Sequence, residues 1–455
     1  MKHTHAFQTN LQRAAVAVAV VGLFIAVQAV ELRVETQRLL GEPLIKSVKI
    51  DQDNGPHTSN YGCGTLMFPT LIKVPDWAPA PLGKYYLYCA HHAGKHLMLF
   101  YADEITGPYT EAPFPMAIDP DQSGHMSAPD VHIDEENQRF IMYYHASWIN
   151  DDGTGVAFSD DGKTFTPDDR YGLGSKYWRS FTVEGDDNYY AFSRIGFIRK
   201  SAEPFANYEK LLALYHFYSG FPCCRAESTR GEICKSACGA RHPGVYVKGS
   251  VTYLFFSLFP DQKEYELGLD TVPEHIQMCR LENVSAPPEE WVFAPAEYPL
   301  TVLKPELDWE GGNLDIMDYK KGEAKALREP FVYEEDNQLY LLYSGMGEQQ
   351  IGIAKLWIYE DGVPLLQGDQ PTGAVTGASA PQAGRPEVRR MRCLSGSSIT
   401  VPVHATAGAI YDLKGACLAR FDIAGKNGGR KLRLPPSLSQ SKKLVIIDFH
   451  YSRNN

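Results

Sequence analysis

One motif recurs five times along this chain and narrows the folds open to it. Its clearest copy is SAPDVHIDEENQRFIMYY, Ser127 to Tyr144. Asp130 to Ile133 alternate polar and apolar residues, Asp134 to Asn137 supply turn chemistry, and Phe140 to Tyr144 form an aromatic, β-favouring run. That is a β-hairpin. Weaker copies start at Phe68 (FPTLIKVPDWAPAPLGKYYLYCA), Arg179 (RSFTVEGDDNYYAFSR), His242 (HPGVYVKGSVTYLFFS) and Glu329 (EPFVYEEDNQLYLLYS). Anchored at Pro69, Pro129, Ser180, Pro243 and Pro330, the copies lie 51 to 87 residues apart. The spacing suits propeller blades, whose period is about 40–50 residues before loop insertions. Most copies run on into a third strand: Leu97 to Tyr101, Gly155 to Phe158, Ile198 to Lys200, Ile276 to Leu281 and Ile351 to Leu356. No blade buries both faces alone, but five stacked around an axis bury them on each other. The expected fold is therefore all-β: a five-bladed β-propeller followed by a small β-sandwich-like domain. Chemistry is expected where each innermost strand starts, beside the central channel.

The rest of the chain divides around that unit. Lys2 and Arg13 precede the uncharged run AAVAVAVVGLFIAVQAV, which reads as a secretory signal peptide over residues 1–29, cleaved after Ala29. An uncleaved anchor is the competing reading, since Ala14 to Val30 is at the short limit for a span. Either way the remainder is expected to be secreted or held at the cell surface, with no later transmembrane segment. Residues 30–57 read as an N-terminal extension, 58–360 as the propeller, 361–392 as a linker and 393–455 as the small β-domain. The linker contains GDQPTGAVTGASAPQAGRP, Gly368 to Pro386, which lacks any periodicity. The runs SSITVPV, AGAIYDL, ACLARFDIA, RKLRLP and KLVIIDF beyond it alternate like short strands. A formal charge of −11 with no basic stripe excludes nucleic acid as a partner. A monomer is expected.

Export changes the reading of the nine cysteines. Cys223, Cys224, Cys234 and Cys238 cluster in CCRAESTRGEICKSAC, and an oxidising compartment favours disulfides there. The spacing is not a standard zinc pattern. Nine is odd, so at least one thiol stays free or pairs outside the chain.

Superposing the anchors aligns charged residues at the strand starts. One residue before them lie Phe68, Ala128, Arg179, His242 and Glu329; two before lie Met67, Ser127, Trp178, Arg241 and Arg328; one after lie Thr70, Asp130, Phe181, Gly244 and Phe331. Charges in strands packed on both faces are costly unless they meet each other or solvent, so an axial funnel is their natural place.

With these residues the pattern, over about Thr65 to Leu356, resembles the five-bladed propeller glycosidases, the family 43-type clan of arabinanases, xylosidases and their relatives. The resemblance implies a general base in an Asp-Pro motif of blade one, a pKa-tuning Asp in an Ala-Pro-Asp motif of blade two, and an acid before Gly-Pro in a later blade. Only the second is matched, by Asp130 in Ala128-Pro129-Asp130; the others read Phe68-Pro69 and Arg241-His242-Pro243. Within the clan the chain resembles an uncharacterised bacterial branch sharing Phe68 to Ile72, Pro129 to His132, Arg241-His242, Trp309-Glu310-Gly311 and Leu327 to Pro330. Related propellers hold calcium or water in the channel, so a channel calcium is among the implications; the residues themselves name no metal or cofactor. The C-terminal run SSITVPVHATAGAIYDLKGACLARF resembles bacterial sorting domains that tether exported enzymes, the alternative being an accessory domain with Cys393 and Cys417 bridged.

Inverting hydrolysis of a glycoside needs one protonated and one ionised carboxyl roughly 6.5–9.5 Å apart. Asp130 facing Arg179 or Arg241 suits an ionised base. Glu329, Glu310 beside Trp309, and His242 are the candidate acids, with Asp315 behind them. Arg179, Arg241 and Arg328 present planar forks for a carboxylate or sulfate, which points to an anionic sugar. Trp178, Trp148 and Tyr144 are candidate sugar platforms. His92, His125 and His145 flank channel-side strands. Each residue also has a structural reading: inter-blade ion pairing for Arg328 and Glu329, a turn role for Asp130, core packing for the histidines and aromatics. Three functions follow: a secreted glycoside hydrolase on an acidic polysaccharide, a polysaccharide lyase using Arg and His, or a propeller that binds carbohydrate without catalysis.

Overall fold

The computed structural model describes residues 30–46, 65–214 and 240–368, apart from internal gaps of which 259–272 is the longest, and the backbone of strands between 388 and 451. Five antiparallel sheets form a five-bladed β-propeller. Their innermost strands are Met67–Lys73, Met126–Asp134, Arg179–Phe181, Ala240–Lys248 and Arg328–Glu335, in blades one to five. The hairpins expected from sequence are the first two strands of each blade. Among the described residues no helix is long and apolar enough to cross a membrane.

Stacking explains why the sequence alternates as it does. One apolar cluster lies between each pair of neighbouring blades. Tyr88 and Leu99 of blade one meet Met142 and Phe140 of blade two. Tyr143 and Val156 of blade two meet Trp178 and Ala191 of blade three. Phe192 meets Leu254 and Phe256, Phe255 meets Leu341 and Tyr343, and Leu342 with Ile353 meets Leu87 and Phe100, closing the circle. Each inner side chain such as Leu254 or Leu341 gains roughly 1.5–3 kcal/mol from a neighbouring blade. A blade alone leaves that gain unmade.

The N-terminal segment corrects the expected boundaries. Leu32–Arg38, assigned above to an extension, pairs along Ala354 to Glu360 as the outermost strand of blade five. Leu32 and Val34 are buried in the cluster shared by blades four and five. The first strand among the described residues thus fastens the last blade. At the other end Val363–Pro364 still pairs with blade five, and Val388–Leu394 begins inside the segment read as a linker. It belongs to a four-stranded sheet ordered Val388–Leu394, Leu444–Tyr451, Ala405–Asp412, Cys417–Asp422, and Ser398–Thr400 pairs with Lys431–Arg433 in a separate ribbon. The signal-peptide segment, the four clustered cysteines and most of the linker lie outside the described residues.

Candidate active site

Backbone geometry positions the hub. Phe68, Ala128, Tyr177, His242 and Glu329 adopt φ between 52° and 59°, a left-handed region that costs a non-glycine residue energy. In four blades the next residue is proline and the strand register shifts there, the mark of a β-bulge. A bulge re-aims a side chain, and here it turns one residue per blade toward the axis. Phe68 packs on Tyr177 and His242 with ring centroids 4.8 and 5.5 Å away, and His242 faces Glu329.

Blade three corrects the expected alignment by two residues. Its left-handed residue is Tyr177, followed by Trp178 where the other blades have proline, so Arg179 rather than Phe181 matches Asp130. The ring before the bulge is therefore Met67, Ser127, Lys176, Arg241 and Arg328, and the ring two residues beyond it is Thr70, Asp130, Arg179, Gly244 and Phe331. This last ring is closed. Arg179 donates to Asp130 Oδ1, Thr70 Oγ1 and the carbonyls of Pro69, Pro129 and Pro243, at 2.9 to 3.3 Å, with Phe331 against its guanidinium. Gly244 is small because a Cβ there would meet the Pro330 carbonyl at 2.4 Å. Arg179 is thus no substrate ligand at the mouth; it is the axial plug. Asp130 is committed to it, to Ser180 N–H and to His132 Nε2 at 2.8 Å. Burial pushes the Asp130 carboxyl up, but His132, Arg179 and the amide outweigh it and hold it below its usual range.

A second buried polar cluster lies one step nearer the strand starts. His242, Glu329 and Glu348 bring polar atoms within 4.8 Å of one another, all three buried. Glu348 comes from the turn after the second strand of blade five and has a left-handed φ of 87°. It receives Arg328 at 2.9 Å and His92 Nδ1 at 2.6 Å. Burial opposes its charge, yet Arg328 and His92 bring its carboxyl down to about 2. Glu329 goes the opposite way: burial first, then the charge of Glu348, push it well above the usual carboxylate range. Its Oε2 accepts from Phe68 N–H and Ser344, and its Oε1 has no hydrogen-bond partner. Ser257 donates to Glu274 at 2.7 Å, so His242 Nδ1 must donate to Ser257 at 3.1 Å. Nε2 is then an acceptor, which takes Arg241 Nη2 at 3.1 Å and lies 3.6 Å from Glu329 Oε1. Burial, then Arg241 and Arg328, keep His242 neutral. Arg328 against Glu348 and Arg241 against His242 place two positive charges beside these donors, which opposes a dication there.

Several other expected site residues lie elsewhere or do other work. Glu310 is fully buried, held by Arg38 at 2.7 and 2.8 Å, by Tyr343 and by two backbone N–H groups. It fastens the N-terminal strand and is not an acid at the hub. Glu310→Ala is expected to cost about 1–3 kcal/mol, because it takes the acceptor from Tyr343 and two backbone N–H groups while Arg38 keeps Glu306 and the Lys304 carbonyl, read as a lower urea midpoint. Trp178 is core, stacked on Tyr143 and edge-on to Tyr208, so it offers no sugar platform. Arg328 has its guanidinium on Glu274 and Glu348, at 2.6 and 2.9 Å, so its charge is already answered and is not offered to an incoming anion. His145 is buried, and burial lowers it to about 3. Arg241 and His92 do border the mouth, their side chains 19 % and 35 % exposed.

Glu274, Glu348 and Tyr177 were not among the expected residues. A usable signal existed for Glu348: the turn between the second and third strands of each blade lies at the same end as the innermost strand's start. That rule selects His91-His92 in blade one, Arg194 in blade three and Glu348 in blade five.

No family model matches the chain. Among curated proteins it is 27 % identical over 319 residues to uncharacterized protein R118 of Acanthamoeba polyphaga mimivirus, covering 64 % of this chain and 83 % of that one. Glycoside hydrolases are among the similar solved structures. They include a thermostable family-43 glycoside hydrolase (TM-score 0.44, 13 % identity, 71 % of this chain and 99 % of that one) and a glycosyl hydrolase from Bacteroides ovatus (0.46, 11 %, 73 % and 95 %). An exo-β-1,3-galactanase from Phanerochaete chrysosporium gives 0.40, 10 %, 91 % and 97 %.

Proposed function

We propose that this protein is a glycoside hydrolase whose proton donor is Glu329 and whose ionised partner is Glu348. One observation carries the reading: two carboxyls within 4.8 Å are driven to opposite protonation by burial, Arg328 and His92. That combination is what glycoside cleavage asks of a carboxyl pair. The separation is nearer the ~5–5.5 Å of retaining pairs than the ~6.5–9.5 Å of inverting ones. Glu329 gives its proton to the leaving oxygen as the glycosidic bond breaks, and Glu348 takes the anomeric carbon. Water then releases the sugar, returning the proton to Glu329. Asp130, expected above to act as the base, is tied to Arg179 and has a structural role instead.

A sugar bearing a carboxylate or sulfate is favoured by the cations at the mouth. Arg241 and Arg194 both lie close enough to act on His242 and Tyr177, and half-buried Lys176 is brought down to about 8 by burial and by Arg194. A lyase reading draws on His92, a half-exposed imidazole whose Nδ1 is fixed on Glu348, placed to take an α-proton. Products separate the two. The full chain incubated with neutral, uronate-bearing and sulfated polysaccharides is expected to release new reducing ends, fastest from the anionic ones. The anomeric configuration should be retained. Ultraviolet-absorbing unsaturated ends would overturn the hydrolase in favour of the lyase, and binding without product would leave only a carbohydrate-binding propeller.

A further inference from the structure

Glu274 touches neither solvent nor the proposed proton donor, yet the hub's charges are strung through it. It sits just before the strand Ile276–Glu282 of blade four, where it bridges to Ala326 and its carbonyl accepts from Leu327 N–H. The lead-in to Arg328-Glu329 is thereby fixed to blade four. Its carboxylate is buried. Oε2 takes Arg328 Nε at 2.6 Å; Oε1 takes Ser257 Oγ at 2.7 Å and faces Arg241 Nε at 3.3 Å. The result is an alternating row across three blades: Arg241, Glu274, Arg328, Glu348, His92.

Arg328 is the member that matters for Glu329. It is adjacent in the chain, and its positive charge draws the Glu329 carboxyl down against burial and Glu348. The other groups facing Glu329 are Ser344 on its own blade, the Phe68 N–H and Cys89 from blade one, and His242 from blade four. Tyr177 and Arg179 act on it from blade three. Of these only Arg179 and Arg328 carry positive charge, and Arg179 is neutralised by Asp130. How far Arg328 lowers Glu329 then depends on how much of its charge is answered elsewhere, by Glu274 on one side and Glu348 on the other.

We infer that Glu274 is a positioning residue that keeps Glu329 protonated by answering the charge of Arg328, whose Nε it holds at 2.6 Å. The inference rests on the proposed role of Glu329 as acid. Removing the charge of Glu274 frees the field of Arg328, so Glu329 ionises at lower pH. A purely structural Glu274 would leave that pH where it is.

The test uses the full-length chain and two readouts. The infrared carbonyl stretch of the protonated Glu329 carboxyl, assigned by its loss in Glu329→Gln, is titrated in wild type, Glu274→Asp and Glu274→Gln. The midpoint is expected to fall in that order, by about one unit for Gln. The basic limb of kcat/KM on the fastest-cleaved polysaccharide should fall in parallel, with KM unchanged. Asp keeps the charge but moves it from Arg328, so it folds more readily and by itself decides the direction should the Gln variant not fold. Unmoved or rising midpoints, or a fall for Asp as large as for Gln, overturn the inference. If no polysaccharide is cleaved, the hydrolase reading fails while the infrared series still decides the role of Glu274. If product forms but the basic limb ignores the infrared midpoint, Glu274 loses its role and the hydrolase stands.

Discussion

Replacing Glu329 by glutamine is expected to slow turnover by about 10²–10⁴-fold while leaving the hub folded. The amide oxygen still accepts from Phe68 N–H and Ser344, and the amide nitrogen takes the place of Oε1, 3.6 Å from His242 Nε2. What is lost is the transferable proton. Glu348→Gln should slow turnover as much, and it also strips Arg328 and His92 of their shared anion, so it should lower stability as well. The two therefore differ in urea even if they match in rate.

The pH dependence separates them further. Glu348 is depressed to about 2, so its contribution to stability is present above the ordinary carboxyl range and is lost as pH falls toward 2. Glu329 is raised, so stability is greatest while it holds its proton and declines as pH rises through its elevated value. Glu329→Gln cannot ionise. Its urea midpoint should hold at alkaline pH where the wild type weakens, and wild-type turnover should fall on the basic side alone. Undiminished turnover in Glu329→Gln would end the assignment.

The fold was legible because it depends on periodicity, and periodicity survives in single sequences. Five hairpins with alternating faces predict a wheel, and the described sheets form one. The hub was legible where proline marks the bulge. Phe68-Pro69, Ala128-Pro129, His242-Pro243 and Glu329-Pro330 placed four blades in register, but blade three carries Tyr177-Trp178 there, so Arg179 was read two positions out. The function of its charge changed with that shift, from a hand at the mouth to a bolt on the axis. Leu32–Arg38 was missed because its partner lies some 320 residues away, and no local pattern announces such a pairing. Glu348 was missed because a left-handed glutamate in a turn resembles any solvated turn residue until Arg328 and His92 are seen to converge on it.

The largest expected loss of stability follows from Arg179. It hydrogen-bonds to blades one, two and four from blade three, and Phe331 of blade five covers it. Arg179→Met keeps much of the apolar stem but leaves Asp130 as a buried anion with only His132 and Ser180 N–H, and takes the guanidinium donor from the carbonyls of Pro69 and Pro243. Breaking a buried pair in this way costs about 3–5 kcal/mol, a large share of the ~5–15 kcal/mol that holds a domain together. Arg179→Lys should fall between, since one ammonium cannot span acceptors that a planar fork reaches in several directions. Adding Asp130→Asn to Arg179→Met removes the orphaned charge, so the double variant should lose less than the two single losses combined. Urea midpoints of the four chains measure that coupling directly. Single variants that unfold at the wild-type midpoint would show that the blades are closed by their five apolar clusters and that the axis contributes nothing.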